Sequence, residues 1–229
     1  MVIPAYNEER RIAATVTGAA RIAGVDLVVV VDDGSTDRTA AAASKAGADV
    51  VVAPANGGKA AAMELGADRV AAIDSGSDDH VLLFLDADLE ESAARAEPLL
   101  AALADGVDAT IATLPAQPGG GRGFVVTLAR DGIAEATGFV ATQPLSGQRA
   151  LTRQAFETAR PLARGFGVEV GMTIDLLRAG HTVVEVPVDL RHRVTGKDWR
   201  AQVHRGRQFW AVWRALRARG VGPRLPIPR

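Results

Sequence analysis

"HVLLFLDADLE", residues 80–90, decides how this chain is read. Its continuous apolar run is what a strand buried on both faces produces. The run ends in two acids, Asp86 and Asp88, one residue apart. On a strand, residues i and i+2 point to the same side, and in a turn just past it two such carboxylates can converge on one point. Like charges that close repel unless a cation lies between them. Oxygen donors without a thiolate suit Mg²⁺ or Mn²⁺. The plainer reading, two acids facing water at a strand end, stays open on this stretch alone.

Working outward, apolar runs alternate with Ala-rich stretches of helical character. "VIPAY" is the first predicted strand, with Asn7 as N-cap of a helix running to Gly18. "VDLVVVVDDG" (25–34) is the second strand, and Asp37 is placed to cap "RTAAAASKAG", which Gly47 closes. "ADVVVAP" and "HVLLFLDAD" are strands three and four, with "GKAAAMELGADRVAA" as the helix between them. Ser92 is expected to cap "AARAEPLLAALADG", in which Pro98 reads as an unfavourable intrusion, and "DATIATL" is a fifth strand. This β-α-β rhythm predicts an α/β fold: an open, mainly parallel sheet with helices on both faces. After residue 114 it loosens into a Gly/Pro-rich loop, a helix over "FVVTLARDGIAEATG", an extended "QPLSGQRAL", a Gly-punctuated helix from residue 165, a strand "HTVVEVPVDL" and a last helix over 198–219. The inner stripe expected for that helix is Trp199, Val203, Trp210, Trp213 and Leu216.

Bulk properties narrow the class. The chain of 229 residues is 48% apolar and contains no cysteine, which excludes disulfides and thiolate metal sites. No window approaches a membrane span, and the first residues lack the pattern of a signal peptide, so a cytoplasmic location is expected. The net charge of −1 conceals an asymmetry: residues 191–229 hold eleven Lys/Arg and one acid, Asp198. Such a tail can meet an anionic membrane or other phosphates, or fold back on the acidic body.

In open parallel sheets ligands bind at the carboxyl ends of the strands, so four short segments carry the functional reading. "VDDGSTD" (31–37) places Asp32 and Asp33 before a turn, where a carboxylate accepts hydrogen bonds from a ribose or base, or from the backbone of its own turn. "NGGK" (56–59) offers open backbone N–H groups and one cation near a helix start, which suits an anion. It lacks the spacing of a P-loop, and no G-x-G-x-x-G follows the first strand.

In order, "VIPAYNEE", "VVDDGSTDRT", "NGGKAAAMELG" and "FLDADLE" resemble family-2 glycosyltransferases with the GT-A fold. The resemblance implies a metal-dependent transferase moving a sugar from a UDP- or GDP-sugar to a phosphorylated acceptor. Pro4, Ala5, Tyr6 and Glu8 would line the nucleoside pocket and Asp33 or Asp32 would contact base or ribose. Gly58, Lys59 and Ala87 would lie beside the nucleotide, and Asp86 and Asp88 would address Mn²⁺ or Mg²⁺. "PLSGQRAL", "GFGVEVG" and "DLRHRVTGKDW" resemble segments of bacterial enzymes related to glucosyl-3-phosphoglycerate synthases and polyprenyl-phosphate glycosyltransferases. That resemblance assigns Ser146, Gly147, Arg149 and Glu169 to the acceptor, with Glu169 and Asp88 as the catalytic pair and His192 as a third metal ligand. Arg149 is expected either to hold an acceptor phosphate bidentately or to pair with a surface acid.

One GT-A domain over 1–229 is expected, with a nucleotide-sugar half (1–115), an acceptor half (116–197) and a basic C-terminal helix and tail (198–229). No nucleic-acid partner is expected. Peripheral contact with the inner face of the membrane through the basic helix, and a homodimer, are left open. The rival readings are a sugar-phosphate nucleotidyltransferase, against which "PAYNEER" stands in place of a Gly-rich loop with Arg, and a non-catalytic nucleotide-sugar-binding module.

Overall fold

The computed structural model describes residues 1–74, 80–115, 123–191 and 199–222, with the backbone alone for 199–205. Its strands are β1 (Val2–Ala5), β2 (Val29–Asp32), β3 (Asp49–Val52), β4 (Leu82–Phe84), β5 (Ala109–Thr113), β6 (Arg149–Leu151) and β7 (Val183–Pro187). The helices are α1 (Ile12–Ala19), α2 (Thr39–Lys45), α3 (Lys59–Ile73), α4 (Glu97–Ala104), α5 (Phe124–Thr137), α6 (Arg153–Ala159), α7 (Val168–Arg178) and α8 (Trp199–Ala218).

All seven strands join one sheet in the order β3-β2-β1-β4-β6-β5-β7. The pairs β3-β2, β2-β1, β1-β4 and β5-β7 are parallel, while β6 runs antiparallel to both β4 and β5. Strand order reverses between β1 and β4, and their carboxyl ends therefore open a crevice for ligand. Because β6 is antiparallel, the residues that lead into it lie at that same edge. Phe84 pairs with Arg149, so the chain just past β4 faces the chain just before β6.

The continuous apolar runs follow from burial of both sheet faces. Ile3, Val30, Leu83 and Leu85 pack with Ile12 and Val16 of α1 and Leu99 of α4. Their neighbours Val2, Val29, Val31, Leu82 and Phe84 point the other way, onto Met63 and Val70 of α3, Phe156 of α6 and Met172 of α7. A third cluster joins α5, α7 and α8 through Ile133, Ile174, Val212 and Leu216.

Several local expectations change. α1 starts at Ile12 with no side-chain cap, and Asn7 (φ 56°) instead accepts the Thr36 N–H at 2.9 Å, tying two loops together. The α4 region breaks into a 3-10 run, Glu90–Ala96, and a helix whose first turn holds Pro98, where a missing N–H costs nothing. Ser92 does not cap it; its hydroxyl donates to the Leu89 carbonyl. On α8 the buried face is Val212, Ala215 and Leu216, and Trp210 is 57% exposed. The Gly167 turn selects that face, since a Cβ at Gly167 would lie 2.7 Å from both the Ala211 carbonyl oxygen and the Ala215 Cβ. Only small residues allow the helix so close.

A similar approach operates where α3 crosses the sheet. A Cβ on Gly66 would lie 2.3 Å from Val2 Cγ1 and 3.0 Å from Val31 Cγ2, on stiff β-branched side chains. Gly66→Ala brings overpacking of ~1–3 kcal/mol, offset in part by alanine's helix preference of ~1 kcal/mol. A net loss of about 1 kcal/mol is expected from these two terms, read as a lower denaturant midpoint with an unchanged m-value.

Candidate active site

Four carboxyl-terminal loops and the approach to β6 meet at the β1/β4 crevice. The first two are laced together by side chains. Asn7 N–H donates to Ser35 Oγ (2.9 Å), Glu8 N–H to Thr39 Oγ1 (2.8 Å) and Glu9 N–H to Asp37 Oδ2 (3.2 Å), while Arg38 N–H donates to Glu9 Oε2 (2.9 Å). Tyr6, 48% exposed, stands at the rim, and Glu8 pairs with Arg11 at 3.1 Å. Ala5 is buried beside Asp32, and its carbonyl accepts the Asp33 N–H.

Asp32 and Asp33 are both buried. Asp32 Oδ1 accepts the Ser35 N–H at 2.8 Å. Asp33 accepts the N–H groups of Gly57 and Gly58, one on each oxygen, both at 2.8 Å. The N–H groups of Gly57 and Gly58 are thus not open to an external anion: Asp33 satisfies both at the start of α3, where a carboxylate also complements the helix dipole.

Lys59, the first residue of α3, points into the crevice. Its Nζ donates to Asp86 Oδ1 at 2.7 Å and lies 3.0 Å from Glu169 Oε1 in the first turn of α7. Burial pushes the ammonium pKa down, but Asp86 and then Glu169 pull it up by more, so the net shift is upward and Lys59 is a cation at any physiological pH. Gly147 makes room for it, since a Cβ there would lie 2.1 Å from Lys59 Nζ. Gln148 Nε2 donates to Asp86 Oδ2, so this carboxylate is gripped on both oxygens.

The turn carrying Asp86 and Asp88 is held from α1. The buried Thr15 hydroxyl donates to the Ala87 carbonyl at 2.8 Å and accepts the Glu90 N–H at 2.8 Å. Glu90 itself has φ 51°, a conformation few non-glycine residues adopt.

Arg149 departs from the expected pairing with a surface acid. It is buried, Nε donates to the Ser146 carbonyl and Nη1 to Thr173 Oγ1, both at 2.9 Å, and Nη2 is buried without a partner. Two of its three nitrogens are therefore spent on the fold, and among the described residues it pairs with no surface acid. Burial lowers its pKa to about 10 against the pull of Glu169 and Glu185, which leaves it a buried cation at neutral pH. His192 lies outside the described residues.

Sequence reasoning missed Gln148, Thr15 and Glu185. Glu185 accepts the N–H groups of Thr142 and Gln143 at 2.9 and 2.8 Å and so anchors the segment that leads to Gly147. Gln148 stood inside a stretch already singled out, but only the pairing of β6 with β4 aims it at Asp86. Thr15 reads as an ordinary helix position in the absence of tertiary contacts.

Asp86 and Asp88 supply oxygen donors only. Among the described residues no group of three or more His, Cys, Asp or Glu side chains gathers to hold a metal. Two carboxylates with remaining positions for phosphate oxygens and water is how Mg²⁺ is commonly held beside nucleotides, so the donor set fits a hard divalent cation. A concavity of about 1390 Å³ lies elsewhere, between α8 and the segment preceding α7, and includes none of Lys59, Asp86 or Glu169.

A crevice at the strand-order reversal of a mainly parallel sheet, with paired acids after β4, is where such folds bind ligands. The family model "Glycosyl transferase family 2" matches residues 1–158, and the chain belongs to that family. It is 33% identical over 207 residues to Glycosyltransferase AglJ of Haloferax volcanii, covering 86% of this chain and 64% of the relative. It is 32% identical over 197 residues to Glucosyl-3-phosphoglycerate synthase of Mycolicibacterium smegmatis, covering 76% and 62%. The chain thus spans less than two thirds of these curated relatives. Crystal structures of glucosyl-3-phosphoglycerate synthase from Mycobacterium tuberculosis share the architecture. One, in complex with Mn²⁺, UDP and phosphoglyceric acid, has a TM-score of 0.76 at 30% identity and covers 95% of this chain and 76% of that one. Another, with Mn²⁺, UDP-glucose and phosphoglyceric acid, has 0.74 at 29% identity, covering 97% and 79%. The fold is therefore GT-A.

Two substitutions separate fold from site. Thr15→Val keeps the volume but leaves the Ala87 carbonyl and the Glu90 N–H without a partner, and a loss of about 1–3 kcal/mol in unfolding free energy is expected. Gly147→Ala meets the Lys59 ammonium at 2.1 Å and the Asp86 oxygens at 3.1 and 3.3 Å, all ends of side chains rather than backbone, so Lys59 swings aside at some cost to its ion pairs while the fold is kept. Turnover should nonetheless fall roughly ten- to a hundredfold, the scale of an ångström-level misplacement; a Gly147→Ala protein with unchanged kcat would remove Lys59 from the chemistry.

Proposed function

We propose that this chain transfers a sugar from a UDP- or GDP-sugar to a phosphorylated acceptor, a lipid-linked phosphate or a small phospho-acid, with Mn²⁺ or Mg²⁺ as cofactor. The observation that carries it is the convergence of Lys59, Asp86 and Glu169 at the β1/β4 crevice. The family membership and the likeness to structures bound to Mn²⁺, UDP-glucose and phosphoglyceric acid support it.

The nucleoside lies against Pro4, Ala5, Tyr6 and Glu8, with Asp32 and Asp33 setting the shape of that wall. Asp86 and Asp88 would hold the cation, with His192 as a third ligand, and Ala87 and Gly58 would border the diphosphate. When bound, the cation supplies charge neutralisation for the departing diphosphate. Lys59 adds a second positive charge at the same place, pre-positioned by Asp86 rather than recruited during reaction. Asp88 would join the catalytic pair by helping to hold the cation, and Glu169, beside Lys59, would take a proton from an acceptor hydroxyl. Ser146 and Gly147 border that approach. Arg149 supplies buried positive charge for an acceptor phosphate, with Nη2 as its uncommitted donor.

The test is release of UDP or GDP from a panel of sugar nucleotides with Mn²⁺, Mg²⁺ or chelator, and with phosphorylated acceptors added in turn. Release should require metal and rise with the right acceptor. Asp88→Ala should abolish it with the unfolding midpoint intact, because a partly exposed acid past a strand end contributes little packing. Metal-independent nucleotide binding without turnover would favour a binding module, and formation of a sugar nucleotide from a nucleoside triphosphate would favour the nucleotidyltransferase.

A further inference from the structure

The outward face of α8 does not resemble an ordinary solvated helix face. At about 100° per residue, Arg207, Trp210, Trp213, Arg214 and Arg217 lie opposite the buried Val212, Ala215 and Leu216. Water-facing stripes are normally charged or polar on both signs. Here the stripe interleaves two indoles with three exposed guanidiniums, and no Asp or Glu occurs anywhere in 199–222.

The indoles extend into an aromatic band. Phe124, at the start of α5 and 76% exposed, stacks on Phe209 with centroids 5.4 Å apart. Phe209 meets Trp210 edge-on at 6.1 Å, and Trp210 meets Trp213 edge-on at 5.3 Å. The Arg217 guanidinium lies 5.8 Å over the Trp213 ring. Neither Arg207 nor Arg214 forms an ion pair among the described residues, and Arg164, across the adjoining groove, forms none either. Exposed rings beside unneutralised cations call for a partner that is apolar at one depth and anionic at another.

We propose that this face docks the protein on an anionic lipid bilayer surface. The rings would enter the boundary between headgroups and acyl chains, and Arg207, Arg214 and Arg217 would meet lipid phosphates. Charge argues against a second copy as the occupant: a two-fold contact through this face sets arginines against arginines. A single-stranded nucleic acid would need a run of separately open ring faces for stacking, whereas Phe124 and Phe209 already stack on each other and Trp210 meets Phe209 and Trp213 edge-on. Among the described residues no helix is long and apolar enough to cross a membrane, so the contact is peripheral.

The experiment is sedimentation of the intact chain with vesicles of phosphatidylglycerol and phosphatidylcholine, and with phosphatidylcholine alone, at low and high salt. It needs no turnover, so its outcome is independent of the reading of the crevice. The chain should bind the anionic vesicles at low salt and be released by salt, because surface charges are screened, with a blue shift in tryptophan emission. Each arginine replaced should weaken partitioning roughly fivefold, so the Arg207→Ala/Arg214→Ala/Arg217→Ala variant should lose binding while keeping the wild-type unfolding midpoint. Trp210→Ala should lose several-fold and most of the blue shift. No binding to anionic vesicles, or equal binding by the triple variant, would overturn the proposal. So would self-association abolished by that variant, or displacement from vesicles by an equimolar single-stranded oligonucleotide.

Discussion

The candidate site depends on one ammonium group. Lys59 begins α3, Asp86 follows β4 and Glu169 begins α7, and Lys59 Nζ contacts both acids. Without that cation, two or three carboxylates would crowd one crevice and repel. With it, a partly buried cluster of opposite charges is held before any ligand arrives, which is the condition for electrostatic catalysis without reorganisation. The glycine at 147 belongs to the same constraint, because any side chain there would occupy the space of the ammonium.

The loops around this cluster are stiffened by polar side chains spent on backbone. Asp33 closes the start of α3, Asn7 and Glu9 join the first two loops, Thr15 holds the turn of the paired acids, and Glu185 fixes the approach to β6. Thr15 and Asp33 are buried and would be costly there unpaired, and each of these side chains finds its partner on a different segment. The price is that fewer groups remain for ligand than their number in the sequence suggests. Arg149 shows this most clearly, with Nε and Nη1 both committed to the fold.

Charge is divided along the chain and also in space. The acids gather in the first 190 residues, while α8 carries cations and rings on its outward face. The basic tail does not fold back through that face: Arg207 and Arg214 are exposed and unpaired among the described residues. Trp210, expected inside, lies mostly outside because Ala211 and Ala215, not the rings, are small enough to meet the Gly167 turn, and the Trp199 side chain is outside the described residues.

By itself the sequence determined the α/β class, six of the seven strands with bounds shifted by a few residues, an extended stretch where β6 forms, and the motifs at the strand ends. Those properties follow from local causes: continuous apolar runs for two-sided burial, glycine at turns, acids at strand ends. The order of the strands was not legible, because hydrophobic period is the same for any neighbour. Only the tertiary structure inserted β6 antiparallel between β4 and β5, and with it brought Gly147 and Gln148 onto Asp86. It also decided that Asp33 consumes the N–H groups of Gly57 and Gly58, that Pro98 opens a helix, and that Arg149 is buried. Each of these depends on a partner distant in sequence, and a hydrogen-bond donor carries no mark in the sequence of which acceptor it will find.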